Sequence, residues 1–86
     1  MRQPVAIVTG GAGGIGLATC AEFLNRGYSV ALMDCDKEGA AAAADSLRSS
    51  ERSVMAVIAD VTDSTAVDAA VASVVQNFGR IDVLIN

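Results

Sequence analysis

Residues Val5 to Gly16 read VAIVTGGAGGIG, and the reading of that stretch decides the fold. A short apolar run stops at Thr9, five of the next seven residues are glycine, and an amphipathic pattern follows at once. A strand that turns into a helix around a phosphate has this form. A pyrophosphate reaches the backbone N–H groups of a helix N-terminus only where no side chain intervenes, and glycine gives that clearance. Glycine also permits positive φ where the chain reverses. The glycines at 10, 11, 13, 14 and 16 are so dense that three patterns overlap: G-x-G-x-x-G from Gly11, G-x-x-G-x-x-G from Gly10, and T-G-x-x-x-G-x-G from Thr9. A tight turn with no ligand satisfies them as well, so the surrounding elements decide.

Outward from the loop, two periodicities alternate. Val5 to Val8 form a continuous, largely β-branched run suited to a strand buried on both faces. From Ile15 the spacing changes, and Leu17, Cys20, Ala21 and Leu24 mark one face of a helix that ends at Arg26 and Gly27. Tyr28 to Met33 is a second strand, closed by Asp34. Asp36 is placed to N-cap an Ala-rich helix reaching about Ser49. Val54 to Ala59 is a third strand ending at Asp60. Thr62 or Ser64 caps a third helix with the stripe Val67, Val71, Val74, Val75 and Phe78, stopped by Gly79. Ile81 to Ile85 begins a fourth strand, and Asn86 follows it.

Each crossover is long enough to hold the helix that parallel pairing requires. The expected class is therefore α/β, a doubly wound parallel sheet of Rossmann type in the strand order 3-2-1-4. That order reverses between strands 1 and 4, which opens a crevice beyond their carboxyl ends, where the glycine loop lies. With 86 residues there is room for one small core, so residues 1–86 are expected to be the N-terminal part of a single dinucleotide-binding domain. A fourth strand with an unpaired edge and incompletely covered Val83 and Ile85 fits a piece of a longer protein.

Composition narrows the function classes. A 52% hydrophobic fraction with 3% aromatics and 19% charged residues describes a packed Val/Ile/Leu/Ala core. Net charge is −4 with no Lys/Arg cluster, so the footprint needed for nucleic acid is lacking. The N-terminal apolar run is too short for a signal peptide or a membrane span, and the expected location is cytoplasmic. Cys20 falls on the inner face of the first helix and reads as a small buried hydrophobe. Cys35 has no histidine to activate it and no metal-site spacing, so both cysteines read as free thiols without a role, and no metal ligands are assigned.

Asp34 lies 18 positions after Gly16, near the ~20-residue spacing at which an acid from the end of strand 2 meets an adenosine ribose. A carboxylate there accepts from both ribose hydroxyls, each charge-assisted bond contributing about 1.5–3 kcal/mol. A 2′-phosphate would face like charge instead. At ~4 Å and an effective dielectric of ~20 that repulsion is ~4 kcal/mol, enough for a preference of about a thousandfold. NAD is thus expected over NADP. Asp36 competes for the ribose role but suits an N-cap better, and Lys37 is the one nearby cation. A turn-capping role for Asp34 is the plainer alternative.

Taken together, TGGAGGIG at Thr9 to Gly16, the acid at Asp34, DVTD at Asp60 to Asp63 and IDVLIN at Ile81 to Asn86 resemble the N-terminal half of a compact, single-domain short-chain dehydrogenase/reductase. The resemblance spans essentially the whole chain in order and spacing. It implies that Gly10, Gly14 and Gly16 are the fingerprint glycines, that Ala12 lies near the adenosine ribose, and that the Ile15 backbone meets the pyrophosphate. It also implies that Asp34 binds the ribose diol, that Asp60 and the Val61 backbone meet the adenine, and that Asn86 opens the family's N-N-A-G segment lining the crevice.

Family members move hydride between a nicotinamide cofactor and an alcohol or ketone, using the Tyr of a Tyr-x-x-x-Lys motif as general acid/base and a Ser that orients the substrate. Those residues have no counterpart here: the sole tyrosine, Tyr28, opens strand 2, and Leu32 stands where the lysine would be. No catalytic residue is assigned within the chain. The expectation is an NAD-binding segment of an oxidoreductase acting on a small alcohol or ketone, whose parent is a homodimer or homotetramer. The alternatives are a non-catalytic dinucleotide-sensing regulator and an NAD-dependent epimerase or dehydratase. A Ser and a Tyr-x-x-x-Lys in the sequence after Asn86 would distinguish the dehydrogenase.

Overall fold

A computed structural model describes residues 3–49 and 52–86. Strand β1 is Val5–Thr9, helix α1 Gly14–Asn25, β2 Ser29–Asp34, α2 Lys37–Leu47, β3 Val54–Ile58, α3 Ser64–Phe78 and β4 Val83–Ile85. The strands form one sheet in the order β3-β2-β1-β4, with every pairing parallel. This is the doubly wound arrangement that the alternating periodicities predict.

Alternation along the buried strands divides the core into two layers. Val8, Val30, Leu32 and Val54 face α1 and α2, meeting Cys20, Leu24 and the alanines at 40, 43 and 44. Val5, Ile7, Ala31, Met33 and Val57 face α3, where Ala70 and Val74 cover them. The small alanines let α2 approach the sheet closely. Burial in this layer pushes the Cys20 thiol up to about 11, so it packs as a small hydrophobe.

Four local readings are corrected. The N-cap of α3 is Asp63, not Thr62 or Ser64. Its carboxylate accepts from the Ala66 N–H at 3.2 Å, while the Thr62 hydroxyl is turned to Asp60 and Ser64 is already helical. Helix α2 stops at Leu47, not near Ser49. Arg48 is extended, at ψ 140°, and its guanidinium donates to the Val54 carbonyl at 3.2 Å. On α3, Val75 is 44% exposed because the inner line runs through Ala70 and Val74, and one further residue turns ~100° away from it. Strand β4 begins at Val83, since Asp82 uses its groups to anchor the strand.

The anchoring works at both ends of the β1–β4 pair. At the lower end the Asp82 carboxylate accepts from the Val5 N–H at 2.8 Å, and the Asp82 N–H donates to the Val5 carbonyl at 2.9 Å. Arg80 adds two contacts to the same carboxylate, at 2.9 and 2.6 Å. At the upper end the Thr9 hydroxyl lies 3.1 Å from the Ile85 carbonyl and 3.3 Å from Asn86 Oδ1, both acceptors for its single proton.

Leu32 is fully buried, so Leu32→Ala should lower stability by about 2–5 kcal/mol, seen as an earlier urea midpoint. The Arg80 side chain, then the Val5 N–H, hold the Asp82 carboxyl below its usual range. A depressed folded-state pKa gives stability that is present above the unfolded value and lost as pH falls through the folded one. Acid unfolding should therefore lose part of its pH dependence in Asp82→Asn, and an unchanged acid midpoint would contradict this role.

Candidate dinucleotide site

The glycine loop is shaped by backbone contacts. Gly10 has φ 66°, a conformation that side-chain-bearing residues seldom adopt, and it turns the chain out of β1. The Gly13 N–H then donates back to the Gly10 carbonyl at 3.2 Å, and the Leu17 N–H to the Gly13 carbonyl at 2.7 Å. Helix α1 starts directly above that carbonyl, so a Cβ at Gly16 would overlap the Gly10 oxygen and lie 2.8 Å from the Gly11 Cα. At Gly11 a Cβ would lie 2.5 Å from Leu32 Cγ, whereas at Gly14 it would meet no protein atom within 4 Å. Packing therefore requires glycine at 16 and 11 but not at 14, where the absent side chain clears open space above the helix terminus.

That terminus differs electrostatically from the other two. Asp36 and Asp63 cap α2 and α3 by accepting from the Gly39 and Ala66 N–H groups. The N-cap of α1 is Gly13, with no side-chain cap and no acid in the first turn. Its leading N–H groups keep their partial positive charge for an external acceptor.

Beside the loop, the carboxyl ends of β1, β2 and β3 enclose a concavity of about 120 Å³ lined by Gly10, Asp34, Cys35, Ala59, Asp60 and Val61. The Asp34 carboxylate is fixed from two elements. Oδ1 accepts from the Asp36 N–H at 3.1 Å, and Oδ2 accepts from the Ala12 N–H at 3.1 Å. The Asp36 bond first, with smaller contributions from Ala12 and Cys35, holds its carboxyl below the usual range, while burial pulls the other way. Asp60 Oδ1 accepts from the Thr62 hydroxyl at 2.7 Å and the Thr62 N–H at 2.9 Å, which likewise lowers its pKa.

Of the nine sequence-derived site residues, the concavity brings together Gly10, Asp34, Asp60 and Val61. Ala12 joins them through its bond to Asp34. Gly14, Ile15 and Gly16 lie along the start of α1, with Ile15 88% exposed, and Asn86 stands at the end of β4 beside Thr9. Cys35, read as a thiol without a role, lines the same concavity. Its position directly after Asp34 was the available signal. The Thr9 hydroxyl, a pattern member in sequence, proves to join the ends of β1 and β4.

The family model described as short chain dehydrogenase matches residues 4–86. The chain belongs to that family. It is 40% identical over 82 residues to the D-threitol dehydrogenase of Mycolicibacterium smegmatis, covering 95% of this chain and 32% of that protein. The crystal structure of a short chain dehydrogenase from Mycobacterium smegmatis superposes with a TM-score of 0.93 at 37% identity, covering 99% of this chain and 36% of that one. A 3-ketoacyl-(acyl-carrier-protein) reductase from Brucella melitensis, solved in complex with NADH, gives a TM-score of 0.87 at 34% identity, covering 96% and 33%. The chain spans about a third of the length of the relatives it matches. Among the described residues, no helix is long and apolar enough to cross a membrane.

Because the glycines serve different purposes, their substitutions should separate. Gly16→Ala should destabilise the fold by about 1–3 kcal/mol through backbone overlap, whereas Gly14→Ala should stay within about 0.5 kcal/mol of the parent. Urea midpoints measure both, and equal losses would refute the distinction.

Proposed function

We propose that residues 1–86 are the N-terminal part of a single NAD-binding domain, in an oxidoreductase that moves hydride between nicotinamide and a small alcohol or ketone. The observation that carries this is the meeting of Gly10, Asp34, Asp60 and Val61 in one concavity beside an uncapped helix N-terminus. A dinucleotide fits the residues present. The open space at Gly14 and the free N–H groups of α1 suit a pyrophosphate, and Asp34 keeps acceptor capacity beyond its two backbone bonds. Family membership and the NADH complex of the Brucella melitensis reductase support the same ligand class.

In this reading Gly10, Gly14, Gly16 and the Ile15 backbone receive the pyrophosphate, with Ala12 alongside the ribose. Asp34 accepts from the ribose hydroxyls and repels a 2′-phosphate. The Asp60 carboxylate accepts from the adenine amino group, and the Val61 backbone pairs with the ring. Asn86 extends the crevice past β4, its side chain steadied by Thr9. The bound nicotinamide supplies the hydride chemistry. The names D-threitol dehydrogenase and 3-ketoacyl reductase support an alcohol or ketone as substrate class, and the family resemblance supports a homo-oligomeric parent.

Titrating the intact protein with NADH and NADPH by nicotinamide fluorescence tests the cofactor assignment. NADH should bind tighter, by up to about a thousandfold, and Asp34→Ala should narrow the gap. Equal affinity, or tighter NADPH, would overturn it.

A further inference from the structure

We propose that Asp34 is a positioning residue for the glycine loop, holding Ala12 and its neighbours in ligand-ready shape before any cofactor arrives. The loop between β1 and α1 has few other ties to the sheet: the Gly11 N–H donates to the Met33 carbonyl at 3.2 Å, and the Gly13 N–H donates within the loop. Ala12 stands between them. Its N–H donates across 22 positions of sequence to Asp34 Oδ2 at 3.1 Å. The other carboxylate oxygen is held by the Asp36 N–H, at the entry to α2. One side chain thus joins the turn after β1 to the turn after β2.

The chemistry of the group matters more than its size. A carboxylate offers about four acceptor sites on two oxygens, so two backbone donors leave two sites for the groove. A carboxamide cannot replace it. Its single oxygen would serve one N–H, and its NH₂ would confront the other donor. The loop's order therefore depends on an ionised acid at position 34, apart from any contact with ribose. Fixing the loop beforehand removes an ordering cost that binding would otherwise meet. That last consequence rests on the function proposed above, whereas the tether belongs to the ligand-free chain. The charged and titratable groups around Asp34 are Asp36 and Lys37 at the start of α2, the Cys35 thiol, and Asp60 across the concavity.

Amide NMR on the ligand-free intact protein tests the tether. On lowering the pH, the Ala12 and Asp36 amide protons should shift together, with one midpoint below the ordinary carboxylate value. Asp34→Ala, which leaves no acceptor for either N–H, should abolish the Ala12 titration and speed its amide exchange by roughly ten- to a hundredfold, the loss expected for one charge-assisted bond, while Leu32 in β2 keeps its protection. Should Asp34→Ala fail to fold, the wild-type titration decides alone. An Ala12 amide that does not titrate with Asp36, or exchange unchanged in the folded Asp34→Ala protein, would overturn the proposal. Measuring NADH affinity on the same samples separates the two ideas. Weaker NADH binding with an unaltered loop leaves only direct contact, and a titrating loop in a protein that binds no NADH rejects the cofactor assignment while keeping the tether.

Discussion

The contact on which the rest depends is the stacking of the first turn of α1 on the Gly10 carbonyl. No Cβ fits between them at Gly16, so strand end and helix start approach as closely as two backbones can. This fixes where the helix begins relative to β1. The leading N–H groups of α1 are thereby aimed past the sheet's carboxyl edge. The flanking elements then complete the site without special geometry of their own, because parallel strands in the order β3-β2-β1-β4 all end on that edge.

Charge is distributed to match. Acids sit at the ends of β2 and β3, and aspartates cap α2 and α3, whereas the start of α1 carries none. One region of the edge therefore keeps positive backbone character beside carboxylates that are already ionised and partly engaged. Those are the two kinds of group that complement a ligand anionic at one end and rich in hydroxyl and amino donors at the other.

Much of this was legible in the sequence because the determinants are local. The run Val5 to Val8, the glycines and the positions of Asp34 and Asp60 each follow from short-range rules, and the strand order follows from the Rossmann-type pattern that the glycine loop marks. What was not legible depends on contacts between distant elements. The choice of Asp63 over Thr62 as cap turned on Thr62 being engaged by Asp60. The inner line of α3 turned on which valine the sheet could reach, which a stripe of five apolar residues leaves open. The tether from Ala12 to Asp34 joins residues far apart in sequence, and no spacing rule announces it.

Arg48 has a further consequence for the outer strand. In the parallel ladder the Ser53 carbonyl accepts from Val30 on β2, so the neighbouring Val54 carbonyl points the other way, off the open side of β3. The Arg48 guanidinium occupies that carbonyl while pairing with Asp45. An exposed strand edge is a template on which a foreign strand can add, and a charged group seated on it spoils the match. The residue that ends α2 early thereby also guards this flank of the sheet against unwanted strand addition.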